Sequence, residues 1–228
     1  MAVIVPDLPE LFEEAFERAG LEMRSGYDLK TARRSLNLLT LEWANRGLNL
    51  FTIESGTIPL VAGQATYTLP AGTIDLIEHQ LRTGTDKAQV DTYLQRISVS
   101  TYAQQTNKQI TGRPTQIFVQ RLATSTTATL WPLPDSSQNY TMFYYRLKGI
   151  DGLESGIGAD ANMVPPRFIP ALVAGLAYYI AMKKPEAIAR VVPLKQVYDE
   201  QFELAALEDR DRSSVMLTPF NSMFLGGA

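Results

Sequence analysis

Hydrophobic and polar positions change period twice along the chain. In residues 7–20, Leu8, Leu11, Phe12, Ala15, Phe16 and Ala19 recur at the three- and four-residue spacing of one helical face. Asp7 can cap this helix, Pro9 suits its first turn, Glu10, Glu13 and Glu14 favour its positive end, and Gly20 stops it. A second helix is predicted over 28–46. Leu29, Ala32, Leu36, Leu39 and Trp43 lie close to one stripe, with Gly47 in the terminating position.

From Phe51 the period shortens. Residues 52–60 read as extended chain, 61–64 as a turn, 65–70 as a short strand ending at Pro70, and 75–82 as a further strand. Residues 93–105 are ambiguous, with Ser98 able to cap a short helix. After Gly112-Arg113-Pro114, the stretches 115–122, 128–133 and 140–147 are joined by short turns, which predicts an antiparallel meander.

The helical period returns at 165–212. The apolar run Ala171 to Met182 predicts one helix; a second amphipathic run over 194–212 follows the breaks at Pro185 and Pro193. Such helices are stabilised mainly by burial of an apolar side. The N-terminal helices supply the nearest cover. The expected fold is therefore α+β: a helical bundle built from N- and C-terminal helices, an inserted antiparallel β domain, and an extended C-terminal tail. The segments are 1–51 and 165–212 for the bundle, 52–150 for the insert, 151–164 for a Gly-containing linker, and 213–228 for the tail. The tail is aperiodic yet holds Leu217, Phe220, Phe224 and Leu225, more apolar surface than a solvated end needs. Those four are candidate docking residues, on a partner or on their own subunit.

Composition narrows the chemistry. The 228 residues are 45% hydrophobic with a net charge of −3, so a sizeable core is affordable and no global basic signal points to nucleic acid. Cysteine is absent, which excludes disulfides and thiolate metal sites. The N-terminus lacks a basic segment and its apolar run is too short for a signal peptide; Ala171 to Met182 falls short of the roughly 20 residues that span a bilayer. The reading is of a soluble chain that is not exported.

Catalytic signatures are missing. His79 is the sole histidine and sits in a strand-like run without a nucleophile motif, which favours a structural or surface role. Neither a Walker A sequence nor a dinucleotide-binding glycine motif is present, no metal-binding cluster is visible, and no cofactor is expected. Trp131, Tyr140, Phe143, Tyr144 and Tyr145 read as a β-domain core with cross-strand aromatic pairs rather than a base-stacking platform. The acids of the last helix lie among bases in Glu208-Asp209-Arg210-Asp211-Arg212, which favours ion pairing over a catalytic carboxylate pair. Residues 195–212 carry a net −3 and residues 28–46 a net +2, with Arg33 and Arg34 at the centre of the basic stretch. These two faces are expected to meet, within one subunit or between two.

The order of several short motifs resembles the tail tubular protein A family, the head-to-tail adaptors of short-tailed bacteriophages. The motifs are Trp43 with Gly47-Leu48-Asn49-Leu50-Phe51; Gly112-Arg113-Pro114-Thr115; Leu130-Trp131-Pro132-Leu133-Pro134; Tyr144-Tyr145-Arg146; Pro165-Pro166-Arg167-Phe168; Leu176-Ala177-Tyr178-Tyr179; Tyr198-Asp199; and residues 208–213. The resemblance implies a non-enzymatic virion protein of the tail or neck, made in the host cytoplasm, that forms a ring, typically of twelve copies. It implies a portal protein above, a nozzle protein and tail fibres below, and double-stranded DNA passing through the lumen without sequence-specific contact. In that setting Arg33, Arg34, Glu208, Asp209, Arg210, Asp211 and Arg212 are candidate intersubunit charge contacts, and the tail docks on the portal or a neighbour. A glycan- or host-binding tail module, through the aromatic β region, and a tail-associated lytic enzyme are the competing readings.

Overall fold

The computed structural model describes residues 7–24, 26–46, 50–150 and 164–209. The helices are α1 (Leu8–Ala19), α2 (Gly26–Arg46), α3 (Val99–Gln104), α4 (Ile169–Ala181) and α5 (Val191–Glu208). The strands are β1 (Ile53–Pro59), β2 (Thr66–Thr68), β3 (Thr73–Thr83), β4 (Val90–Tyr93), β5 (Gln95–Arg96), β6 (Thr111–Gly112), β7 (Gln116–Arg121), β8 (Thr126–Trp131), β9 (Leu133–Pro134) and β10 (Thr141–Lys148). The fold is α+β, as the periodicities indicate.

Local sequence explains α1. Asp7 accepts the Glu10 amide at 2.9 Å and Glu10 accepts the Asp7 amide at 3.2 Å, a reciprocal capping box. Gly20 closes the helix with φ 75°, a left-handed conformation that suits glycine. The buried face comprises Leu8, Leu11, Phe12, Ala15, Phe16 and Ala19.

Helix α4 is the centre of the helical body. It buries residues on every side, among them Leu172, Val173, Leu176, Ala177 and Ile180. A helix that is apolar all round has to be covered all round, and α1, α2 and α5 all pack on it. Gly175 marks a close approach of α4 to α2 and α5: a Cβ there would stand 2.8 Å from both Leu39 Cδ1 and Tyr198 Cε2. Helix α5 begins at Val191, ahead of the expected start at 194, with Pro193 inside its first turn. An amide in that turn has no helical acceptor, so the proline costs no hydrogen bond.

The β region has a separate core. One sheet has the order β1-β10-β3-β4, all antiparallel; the other has the order β2-β8-β7-β5. Leu76, Leu81, Met142 and Tyr144 from the first meet Tyr67, Ile117, Val119, Ala128 and Leu130 from the second. The three-strand meander predicted for 115–147 does not form. β7 and β8 make a hairpin, but β10 crosses to the other sheet and lies between β1 and β3. Alternation sets which face of a strand is buried, not which strand it pairs with. The insert also departs from purely antiparallel pairing. β5 runs parallel to β7, with α3 in the crossover, and β6 runs parallel to β9.

The pairing of β1 with β10 brings the two ends of the insert together. Ile53 lies opposite Leu147, so the chain leaves the helical body and returns to it at adjacent points.

Candidate assembly surface

The helical body is closed by a polar network across its termini. Trp43 donates its indole N–H to the Tyr198 hydroxyl at 2.9 Å, and Tyr198 donates to Glu42 Oε1 at 3.2 Å. Tyr179 donates to Glu42 Oε2 at 2.7 Å. Burial and this bond to a carboxylate push the Tyr179 hydroxyl up to about 12, so it remains a proton donor throughout the neutral range. Arg46 pairs with Glu42 at 2.5 Å and Asp199 at 3.3 Å, and its guanidinium lies over the rings of Tyr198 and Phe202. One contact between the basic stretch of α2 and the acidic stretch of α5 is thus made inside the subunit.

A second node closes the C-terminal end of α5. Asp209 is 7% exposed; its carboxylate accepts from Arg167 and, at 2.7 Å, from the Leu50 amide. It therefore ties α5 to the turn before α4 and to the chain entering β1. Only proximity in the fold reveals this role, because Asp209 follows Arg167 by 42 residues and Leu50 by 159.

The other predicted contact residues sit differently. Arg33 and Arg34 are exposed on α2 without an ion pair among the described residues, and Glu208 is exposed at the end of α5. Arg210, Asp211, Arg212, Leu217, Phe220, Phe224 and Leu225 lie outside the described residues, as do residues 151–163 of the expected linker 151–164 and the Gly47 helix stop.

The aromatic cluster divides by strand alternation. Tyr140 and Tyr144 are buried in the β core, whereas Phe143 and Tyr145 lie on the opposite face of β10 in edge-to-face contact, with Arg82 over Phe143. Trp131 donates its indole N–H to the Asn107 carbonyl. His79 is buried, stacked beside Tyr93, and neither ring nitrogen has a hydrogen bond of normal geometry. Burial lowers its pKa, which keeps the ring neutral.

A groove of about 470 Å³ runs along the seam between the body and the insert; Leu41, Ala44, Pro70, Ile74, Thr124 and Ile150 are among its walls. Among the described residues no His, Cys, Asp and Glu cluster could hold a metal ion, and no helix is long and apolar enough to cross a membrane.

The sequence model of the SU10 adaptor protein family matches residues 9–222. The chain belongs to the SU10 adaptor family. This membership supports the coarse class read from the motif order, a structural head-to-tail adaptor of a phage particle; it does not establish the tail tubular protein A family as such. Among solved structures, the chain is similar to one from the neck of an empty GTA particle. The identity is 10% and the TM-score 0.26, covering 77% of this chain and 80% of that one. No curated protein matches.

Proposed function

We propose that this protein forms a ring in the neck of a virion, joining the portal to the tail nozzle and enclosing the path of the genome. The observation that carries this reading is the match to an adaptor family across residues 9–222, which takes in both the helical body and the insert. The surface agrees with it. A ring needs two different faces on each subunit, related by rotation, and the body presents the outward sides of α2 and α5. A net charge of −3 also suits a conduit, because phosphate contacts strengthen DNA binding steeply and a genome has to slide. The tail residues Leu217, Phe220, Phe224 and Leu225 then dock on the portal.

Mass measurement of the purified chain, alone and with its cognate portal, tests the reading. The expected result is a closed ring, of twelve copies, that binds the portal. Deleting residues 213–228 should abolish that attachment while leaving the subunit folded. A chain that stays monomeric in both conditions refutes the ring; full attachment after the deletion refutes the role of the tail.

A further inference from the structure

Helices α2 and α5 each carry a second apolar stripe that stays exposed among the described residues of their own subunit. On α2, Arg34, Leu38, Leu41 and Asn45 follow one another at spacings of four, three and four, and all are exposed. On α5, Val197, Glu200, Leu204 and Leu207 follow at three, four and three, and all are exposed. Leu38 is 51% exposed, Leu41 62% and Leu204 61%. The core-facing sides of these helices are separate and already filled: Ala32, Leu36, Leu39 and Trp43 on α2, Tyr198 and Ala205 on α5.

The two stripes match in spacing and in charge. Alternating steps of three and four residues form the seam along which helices pack side by side. Set parallel, α2 and α5 place Arg34 against Glu200, Leu38 against Leu204 and Leu41 against Leu207. Lys30 and Arg33 flank the first stripe and Glu203 the second, and none of these three has an ion pair among the described residues. A basic-flanked leucine stripe and an acidic-flanked one on the same chain are complementary to each other and not to themselves.

We infer that the outward face of α2 on one copy of this chain packs against the outward face of α5 on the next copy. The inference rests on the ring reading and deepens it by naming the two faces. An interface between unlike faces leaves one of each kind free on every added subunit, so it propagates and can close into a ring. The charges set register and partner choice, and the leucines exclude water at the centre.

The chain has no cysteine, so engineered thiols report the contact without background. The full chain carrying both Leu38→Cys and Leu204→Cys is oxidised, alone and with portal. The expected product is a ladder of covalent oligomers beyond the dimer; a chain carrying Val99→Cys with Leu204→Cys gives none. In a second arm, Arg33→Glu with Arg34→Glu, and separately Glu200→Lys with Glu203→Lys, each impair assembly. An equimolar mixture of the two variants restores it, because each then offers the charge the other lacks. Absence of the ladder, or a mixture no better than its components, overturns the face assignment. If the unmodified chain still forms rings by mass, the adaptor reading survives that failure; if it stays monomeric alone and with portal, both fall.

Discussion

Trp43 and Tyr198 are 155 residues apart in sequence and 2.9 Å apart in space. Their hydrogen bond joins the end of α2 to the middle of α5, and both rings are almost fully buried. The two residues lie on either side of the insert in sequence, so the bond joins the two halves of the helical body directly. Replacing Tyr198 with Phe leaves the Trp43 N–H without its acceptor and removes one donor to Glu42. An unsatisfied buried donor costs about 1–3 kcal/mol, and denaturant unfolding of the variant should show a loss in that range.

Gly175 permits the convergence of α2, α4 and α5. With a Cβ 2.8 Å from Leu39 Cδ1 and Tyr198 Cε2, Gly175→Ala overpacks a filled core. The helix propensity of alanine offsets part of this, but overpacking typically costs about 1–3 kcal/mol. Thermal unfolding should register a net drop in midpoint; an unchanged or raised midpoint would show that Leu39 can yield.

The node at Asp209 predicts an asymmetry. The Asp209 side chain is 3% exposed and that of Arg167 40%. Arg167→Ala strands a buried carboxylate with one amide partner, at a cost of about 3 kcal/mol. Asp209→Ala leaves an arginine that reaches water and removes the acceptor of the Leu50 amide, which sits on an exposed residue, at about 1 kcal/mol. Equilibrium unfolding of both variants should rank them in that order, with faster hydrogen exchange at Leu50 in Asp209→Ala.

His79 gives the β region an acid-side weakness. Burial holds its pKa below the ordinary 6.5. Between 6.5 and that lower value the unfolded chain binds a proton the native chain excludes, so stability falls as the pH is lowered through this window. The slope for one such proton is at most about 1.4 kcal/mol per pH unit. Unfolding curves at successive pH values should show this component in the native protein and lack it in His79→Leu.

Salt separates the ion pairs inside the subunit from the charge contacts inferred between subunits. Arg46 with Glu42 and Asp199 lies partly under aromatic rings, whereas Arg33 and Arg34 face solvent. Raising ionic strength should weaken assembly far more than subunit stability, because exposed charges are screened over about 10 Å at 0.1 M. Light scattering and denaturant unfolding over the same salt series test this.

Much of the local architecture is legible in the sequence. Asp7, Glu10 and Gly20 mark both ends of α1, and the three- and four-residue spacing selects its buried face without error, because capping and amphipathicity act within a few residues. Ser98 caps α3 in the same way, accepting the Thr101 amide. The apolar run Ala171 to Met182 marks α4 as a helix in need of cover, and the packing of α1, α2 and α5 on it makes it central. The sheet partners of β10 are not legible, since Met142 and Tyr144 alternate identically in a meander or between β1 and β3. Asp209 illustrates the same limit within the site. Its neighbours in sequence suggest a surface charge run, and only the fold brings Arg167 and the Leu50 amide to it.

By itself, then, the sequence determined the helices, the caps of α1 and α3, the buried stripe of α1, the β character of 52–150 and the order of motifs that points to an adaptor. Each of these depends on residues near one another along the chain. The tertiary structure decided which strands pair, that Ile53 and Leu147 lie side by side, that Trp43 meets Tyr198, and which leucines of α2 and α5 remain outside. Those outcomes depend on contacts between distant segments, where many pairings satisfy the same local pattern and only simultaneous packing of both cores selects one.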